Sequence, residues 1–140
     1  MIATNADPNL VLTALWTFLD GITDDEDAKV FPVVHIGNRP AASDNDSFVV
    51  ININGLVQDK TTDTRDSVGG RCVCLVQLFA RDIDANGTLN MGQLSTMFNA
   101  LVGALPYNRS PYTFSKKNQV GRRDVLGFHA TLVNLDCLIY

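Results

Sequence analysis

The run from Arg71 to Arg81 constrains this chain most, because almost every position in it is apolar. Read as a strand, it places Cys72, Cys74, Val76, Leu78 and Ala80 on one face and Val73, Leu75 and Phe79 on the other. A strand apolar on both sides is expected to lie centrally and to be covered twice. The run Phe48-Val49-Val50-Ile51-Asn52-Ile53-Asn54 precedes it and ends in the apolar/polar alternation of a half-solvated strand. Strand, long polar loop, strand, polar turn and helix therefore follow one another between Phe48 and Leu105. The helix can cover one face of the central strand, and a second molecule is a candidate for the other.

The rest of the chain supplies the remaining layers. Asp7-Pro8-Asn9 reads as a helix start, with Asp7 as the cap and Pro8 at the first helical position, where no amide hydrogen is needed. Leu10, Val11, Ala14, Leu15, Phe18, Leu19 and Ile22 fall on one broad face, Trp16 lies off its centre, and Gly21 marks the stop. The acidic run Asp24-Asp25-Glu26-Asp27 is expected to be a solvated linker, since four like charges resist burial. Val30 to Ile36 reads as a short strand at a sheet edge or start, because Pro32 cannot donate to a ladder. Asn38 to Asp46 has loop composition.

Gln58 to Gly70 reads as a long hairpin loop with Lys60 and Arg65 as its basic residues and Val68 as its apolar one. Loops of that length are uncommon inside compact domains unless they act in binding or remain unstructured. Met91, Leu94, Met97, Phe98, Leu101, Val102 and Leu105 hold helical spacing up to Pro106, and the methionines read as core filling. After Pro111, Tyr112 to Ser115 reads as a short strand, Lys116 to Arg123 as a turn, and Val125 to Tyr140 as one long strand or a bent pair. With 140 residues and 46% hydrophobic content, residues 1 to 140 fit a single domain. The expected class is α+β, an antiparallel sheet with a long-looped hairpin flanked by an N-terminal and a central helix.

Charge and composition narrow the function. A net charge of -4 argues against a dedicated nucleic-acid binder, which carries a basic excess. Met1 to Pro8 lacks a basic stretch leading into an apolar run, and no segment approaches the ~18 apolar residues of a membrane span, so neither export nor membrane insertion is expected. Three cysteines exclude a fully paired disulfide framework. Cys72 and Cys74 share a strand face and read as small core hydrophobes, while Cys137, His35 and His129 lie far off without ligand spacing.

Two local patterns carry chemistry. From Asp82 to Gln93, oxygen side chains recur at the first, third, fifth and ninth positions (Asp82, Asp84, Asn86, Asn90), with Gly87 at the sixth and Leu89 at the eighth. That order suits calcium, a hard cation that takes six to eight oxygens. Gln93 stands where a bidentate glutamate is expected, and a strand precedes the loop where a calcium-binding hand has a helix. A strand-to-helix turn, with Gly87 at its bend and Thr88 as cap, accounts for the same residues. Lys116, Lys117, Arg122 and Arg123 form the dense basic cluster. It suits a phosphate backbone or an acidic partner, or else it keeps a sheet edge soluble.

No enzyme motif accompanies these patterns. Neither histidine sits in a recognisable catalytic motif, and Gly69-Gly70 precedes a strand rather than the helix N-terminus that a phosphate cradle requires. An enzyme is therefore not expected.

The order of elements from Pro8 to Tyr140, with the character of Phe48 to Leu56 and Arg71 to Asp82, resembles the tail-terminator and tail-completion proteins of tailed bacteriophages. The resemblance implies a structural virion protein, made in the host cytoplasm, that closes into a homo-oligomeric ring, commonly a hexamer. Such a ring caps the tail tube and joins it to neck or head-completion proteins. It also implies faces that bind different neighbours rather than catalytic residues, and gives Lys60, Arg65, Lys116, Lys117, Arg122 and Arg123 a place as contacts to those neighbours or to packaged DNA. The competing expectation is a small ligand- or peptide-binding module, stabilised by calcium at Asp82, Asp84, Asn86, Asn90 and Gln93.

Overall fold

The structure, a computed structural model, describes residues 7–37, 46–58, 70–81, 91–123 and 127–139, with backbone alone at 55–58, 91, 122 and 123. Two helices, α1 (Pro8–Asp20) and α2 (Met91–Gly103), lie with six strands: β1 (Val34–Ile36), β2 (Ser47–Gln58), β3 (Gly70–Arg81), β4 (Tyr107–Arg109), β5 (Tyr112–Arg123) and β6 (Phe128–Ile139). The strands form one curled sheet in the order β1-β2-β3-β6-β5-β4. Every pairing is antiparallel except β1 with β2. The class is α+β, as expected.

α1 begins where its sequence says it should. The Asp7 carboxylate accepts from the Asn9 amide at 2.8 Å, and Pro8 occupies the first turn. Gly21 ends the helix with φ −83°, so it serves as a stop without the left-handed geometry often found there. Val11, Leu15, Phe18 and Leu19 are buried and Trp16 is 40% exposed. The acidic run is exposed as expected, but it folds into a closed turn. Asp24 accepts from the amides of Glu26 and Ala28 at 2.8 and 3.0 Å, Asp27 takes φ +61°, and Thr23 bridges Lys29. Such Asx geometry is what short carboxylates do best locally.

β3 is the central strand of the sheet, and its two faces differ. On one face Cys72, Cys74, Val76 and Leu78 join Val49 and Ile51 of β2, Val133, Leu135, Cys137 and Ile139 of β6, and buried residues of both helices in the main core. α1 reaches across this same face to the far edge of the sheet: Phe18 stacks on Tyr107 of β4 at 4.5 Å and on Phe114 of β5 at 6.3 Å. Met97 is buried in this core, the gap-filling role expected of it.

The opposite face carries a smaller cluster of Phe48, Val50, Phe79, Phe128 and Ala130. Phe48 lies 4.7 Å from Phe79 and 5.2 Å from Phe128, and the Arg81 guanidinium sits over Phe128 at 4.8 Å.

Three expected boundaries change. The strand expected over Val30 to Ile36 is reduced to Val34–Ile36, so Pro32 falls before it. α2 ends at Gly103 rather than Leu105, with Ala104 already in a turn. The largest change is at the basic segment. The turn expected from Lys116 to Arg123 is instead the body of β5, paired along its length with β6. Gly121 faces Thr131 within this ladder, and a register shift between Lys116 and Asn118 leaves Lys117 as the bulged residue. Lysine, asparagine, glutamine and glycine are weak strand formers, but a twelve-residue partner strand outweighs them. β4 is an additional three-residue strand, and β6 is one strand rather than a bent pair.

Candidate functional site

The face of the sheet away from the helices changes character along its length, and the register gives the reason. Its first rows are Phe48, Phe79 and Ala130, then Val50, Gln77 and Leu132. The next are Asn52, Leu75 and Asn134, then Asn54, Val73 and Asp136, after which Arg71 stands opposite Leu138. The aromatic end is closed, with Phe48 and Phe79 each 1% exposed. Beyond it Val73 and Leu75 are half-buried and Leu138 is 49% exposed. The central strand therefore offers an apolar stripe flanked by amide and carboxylate side chains, with both helices on the other side of the sheet.

At that open end the surface dips into a cleft of about 560 Å³, bordered by Asn54, Arg71, Val73, Ser115, Lys117, Asp136 and Leu138. Arg71 and Lys117 bring positive charge to it and Asp136 a carboxylate, while Leu138 and Val73 supply an apolar floor. Such a mixture can seat a polar peptide or a neighbour's loop.

The basic residues are spread out rather than gathered at a hairpin tip. Lys116 stands opposite Leu135, whose side chain is in the main core, and its ammonium lies 5.3 Å from the centre of the Phe98 ring. Lys117 turns toward the cleft on the other face. Arg122 and Arg123 stand opposite Ala130 and His129 at the far end of β5, roughly 20 Å away at the usual strand rise. β4 pairs only with Tyr112, Thr113 and Phe114, so among the described residues the outer edge of β5 from Ser115 onward has no strand beside it. A row of cations along an open edge is a common guard against unwanted strand pairing.

Lys60 and Arg65, the other expected contact residues, lie outside the described residues, as do Asp82, Asp84, Asn86 and Asn90 of the expected calcium loop. Gln93 lies in the first turn of α2, and the residue before the loop, Arg81, closes a strand. Among the described residues, no group of three or more His, Cys, Asp or Glu side chains is arranged to hold a metal ion, and no helix is long and apolar enough to cross a membrane. His35 is on β1 with its ring edge against Phe48 at 5.8 Å, and its Nε2 is buried without a hydrogen-bond partner.

Cys72 and Cys74 lie in the main core, as expected of small hydrophobes. Cys137, far from the others in sequence, is the direct β6 partner of Cys72 on β3, and the Cys74 Sγ is 3.9 Å from the Cys72 Sγ. All three are buried. Side-chain contacts with Cys137 and Cys74 draw the Cys72 thiol below the usual thiol range, contacts with Cys137 and Cys72 together with burial push Cys74 upward, and the contact with Cys72 together with burial raises Cys137 against an opposing pull from Cys74. Only the β3–β6 register reveals this grouping, and alternation within β3 alone finds two of its members.

No protein-family model matches the chain, and no curated protein matches it.

Proposed function

We propose that this chain is a structural virion protein of a tailed bacteriophage, a tail terminator, tail-completion or neck component that forms a ring joining the tail tube to the head. The observation that carries the reading is the open half of the sheet, where Leu75, Val73 and Leu138 form an apolar stripe on the face opposite both described helices. A neighbouring copy placed against it removes that stripe from water, and head-to-tail repetition of one such contact closes a ring, with a hexamer as the expected size. The order of helices and strands also supports the reading, since it is the order on which the resemblance to terminator proteins rests. In this role the chain is not an enzyme. Its locations are the host cytoplasm, where it is made, and the virion, and its basic β5 edge meets a neck neighbour or packaged DNA.

Light scattering coupled to size exclusion, followed by negative-stain microscopy, tests the reading. Rings of uniform diameter are expected. A strict monomer at high concentration, both alone and in the presence of isolated tail tubes, would overturn it.

The cleft beside Arg71, Lys117 and Asp136 favours a second reading, a small module that binds a ligand or peptide on its open sheet face. That reading expects a monomer whose melting temperature rises with a bound peptide. If the Asp82 to Gln93 segment holds calcium, millimolar calcium raises it too.

A further inference from the structure

The chain has three cysteines, and the fold brings all of them to one point in the core. Cys72 and Cys137 face each other directly across β3 and β6. Directly opposed residues of antiparallel strands have Cα atoms about 4.5–5.5 Å apart, within the 4.4–6.8 Å span of a disulfide. Cys72 and Cys74 are close through their sulfurs at 3.9 Å, but they stand two residues apart on one strand. Their Cα atoms are therefore separated by roughly 6.6–6.8 Å, at the limit of that span, with Cβ vectors running side by side. Of the three pairings, the cross-strand one has the favourable geometry.

Exposure ranks the same residues. Cys72 is 5% exposed, whereas Cys74 and Cys137 are at 0%. Cys72 is thus the thiol that a small reagent meets first, with two further thiols lying against it.

We propose that Cys72 and Cys137 are a covalent modification site that closes into a disulfide on reaction with low-molecular-weight disulfides, with Cys74 left as a free thiol beside the pair. In the first step the Cys72 thiolate attacks one sulfur of the reagent, a mixed disulfide forms at Cys72, and one reagent thiolate leaves. In the second the Cys137 thiolate attacks the Cys72 sulfur, the Cys72–Cys137 bond forms, and the second reagent thiolate leaves. Two protein thiols are oxidised and one reagent disulfide is reduced to two thiols. The contacts of Cys72 with Cys137 and Cys74 support its place as first nucleophile, because they draw its thiol below the usual range and so favour its thiolate. Closure ties the two central strands of the sheet together, and it leaves Cys74 as the one free thiol.

The inference stands apart from the proposed assembly role, and a negative outcome for either leaves the other untouched. The test uses the full chain incubated with oxidised glutathione, then denatured and alkylated without reduction. Intact-mass analysis is expected to show one alkyl label on the oxidised protein against three on the reduced protein, and peptide mapping to join Cys72 to Cys137. The oxidised protein is also expected to melt higher than the reduced one. Cys74→Ser should still close the bond, whereas Cys137→Ser should stop at the glutathione adduct on Cys72. Three labels on the wild-type chain, under conditions that oxidise a free-cysteine control, would overturn the proposal. So would linkage of Cys72 to Cys74, or disulfides formed only between chains.

Discussion

Two glycines show how single residues shape this chain in opposite ways. Gly37 follows β1 with φ +94°, and its amide donates to the Ile51 carbonyl at 2.9 Å, which fixes the conformation at the exit from the edge strand. A Cβ there would meet nothing within 4 Å, so the cost of a side chain is purely that of the backbone angle. Gly37→Ala is expected to lower stability by roughly 1–2 kcal/mol, the usual penalty for a side chain in the left-handed region. Gly21 has φ −83°, and a Cβ would lie 3.5 Å from the Thr17 carbonyl, an ordinary contact. Gly21→Ala should therefore be neutral or stabilise by about 0.4–1 kcal/mol through the reduced freedom of the unfolded chain. Urea midpoints of the two variants beside the wild type check the opposite signs, and equal shifts would contradict the backbone argument.

At the scale of elements, β5 is a strand built from poor strand formers, held by its neighbour and guarded by charge. Its outer edge beyond Phe114 is open among the described residues, and Lys116, Lys117, Arg122 and Arg123 are spaced along it. Replacing Lys116 and Lys117 together by valine is expected to leave the melting temperature within a few degrees, because both side chains are exposed. Self-association should rise instead, read as polydisperse light scattering at millimolar protein, since the edge loses its repulsion while keeping its free backbone groups. An unchanged scattering profile would show that the cations do not guard this edge. The same strand marks where sequence reading ran out. Asp7-Pro8, the alternation in β2 and the spacing of α2 are local signals, and they placed α1, β2, β3 and α2 nearly where they lie. β5 owes its state to β6, and β4 is three residues long, too short to carry a period. The pairing of Cys137 with Cys72 depends likewise on a register that no segment encodes alone.

For the whole molecule, the central question is what an open apolar stripe does on a sheet whose other face is closed by helices. Leu75 is its middle residue, half-buried, with Asn52 and Asn134 beside it in register. In the isolated chain a charge at this position can reach water between two amides, so Leu75→Glu should cost the fold about 1 kcal/mol or less. In a ring that seats a neighbour on this face the same carboxylate is buried without a partner, which typically costs 3–5 kcal/mol at each contact. The contact is repeated around the ring, so the loss multiplies, whereas Leu75→Ala removes area without adding charge and should weaken assembly only in part. The expected result is a folded Leu75→Glu chain, with unchanged far-ultraviolet circular dichroism, that no longer forms rings at concentrations where the wild type does. Valine at position 76 faces the helices and supplies the contrast: Val76→Glu should unfold the chain rather than disperse it, because that side chain lies in the main core. If rings persist in Leu75→Glu, the stripe is not the subunit contact, and the mixed cleft around Arg71, Lys117 and Asp136 becomes the better guide to what this face binds.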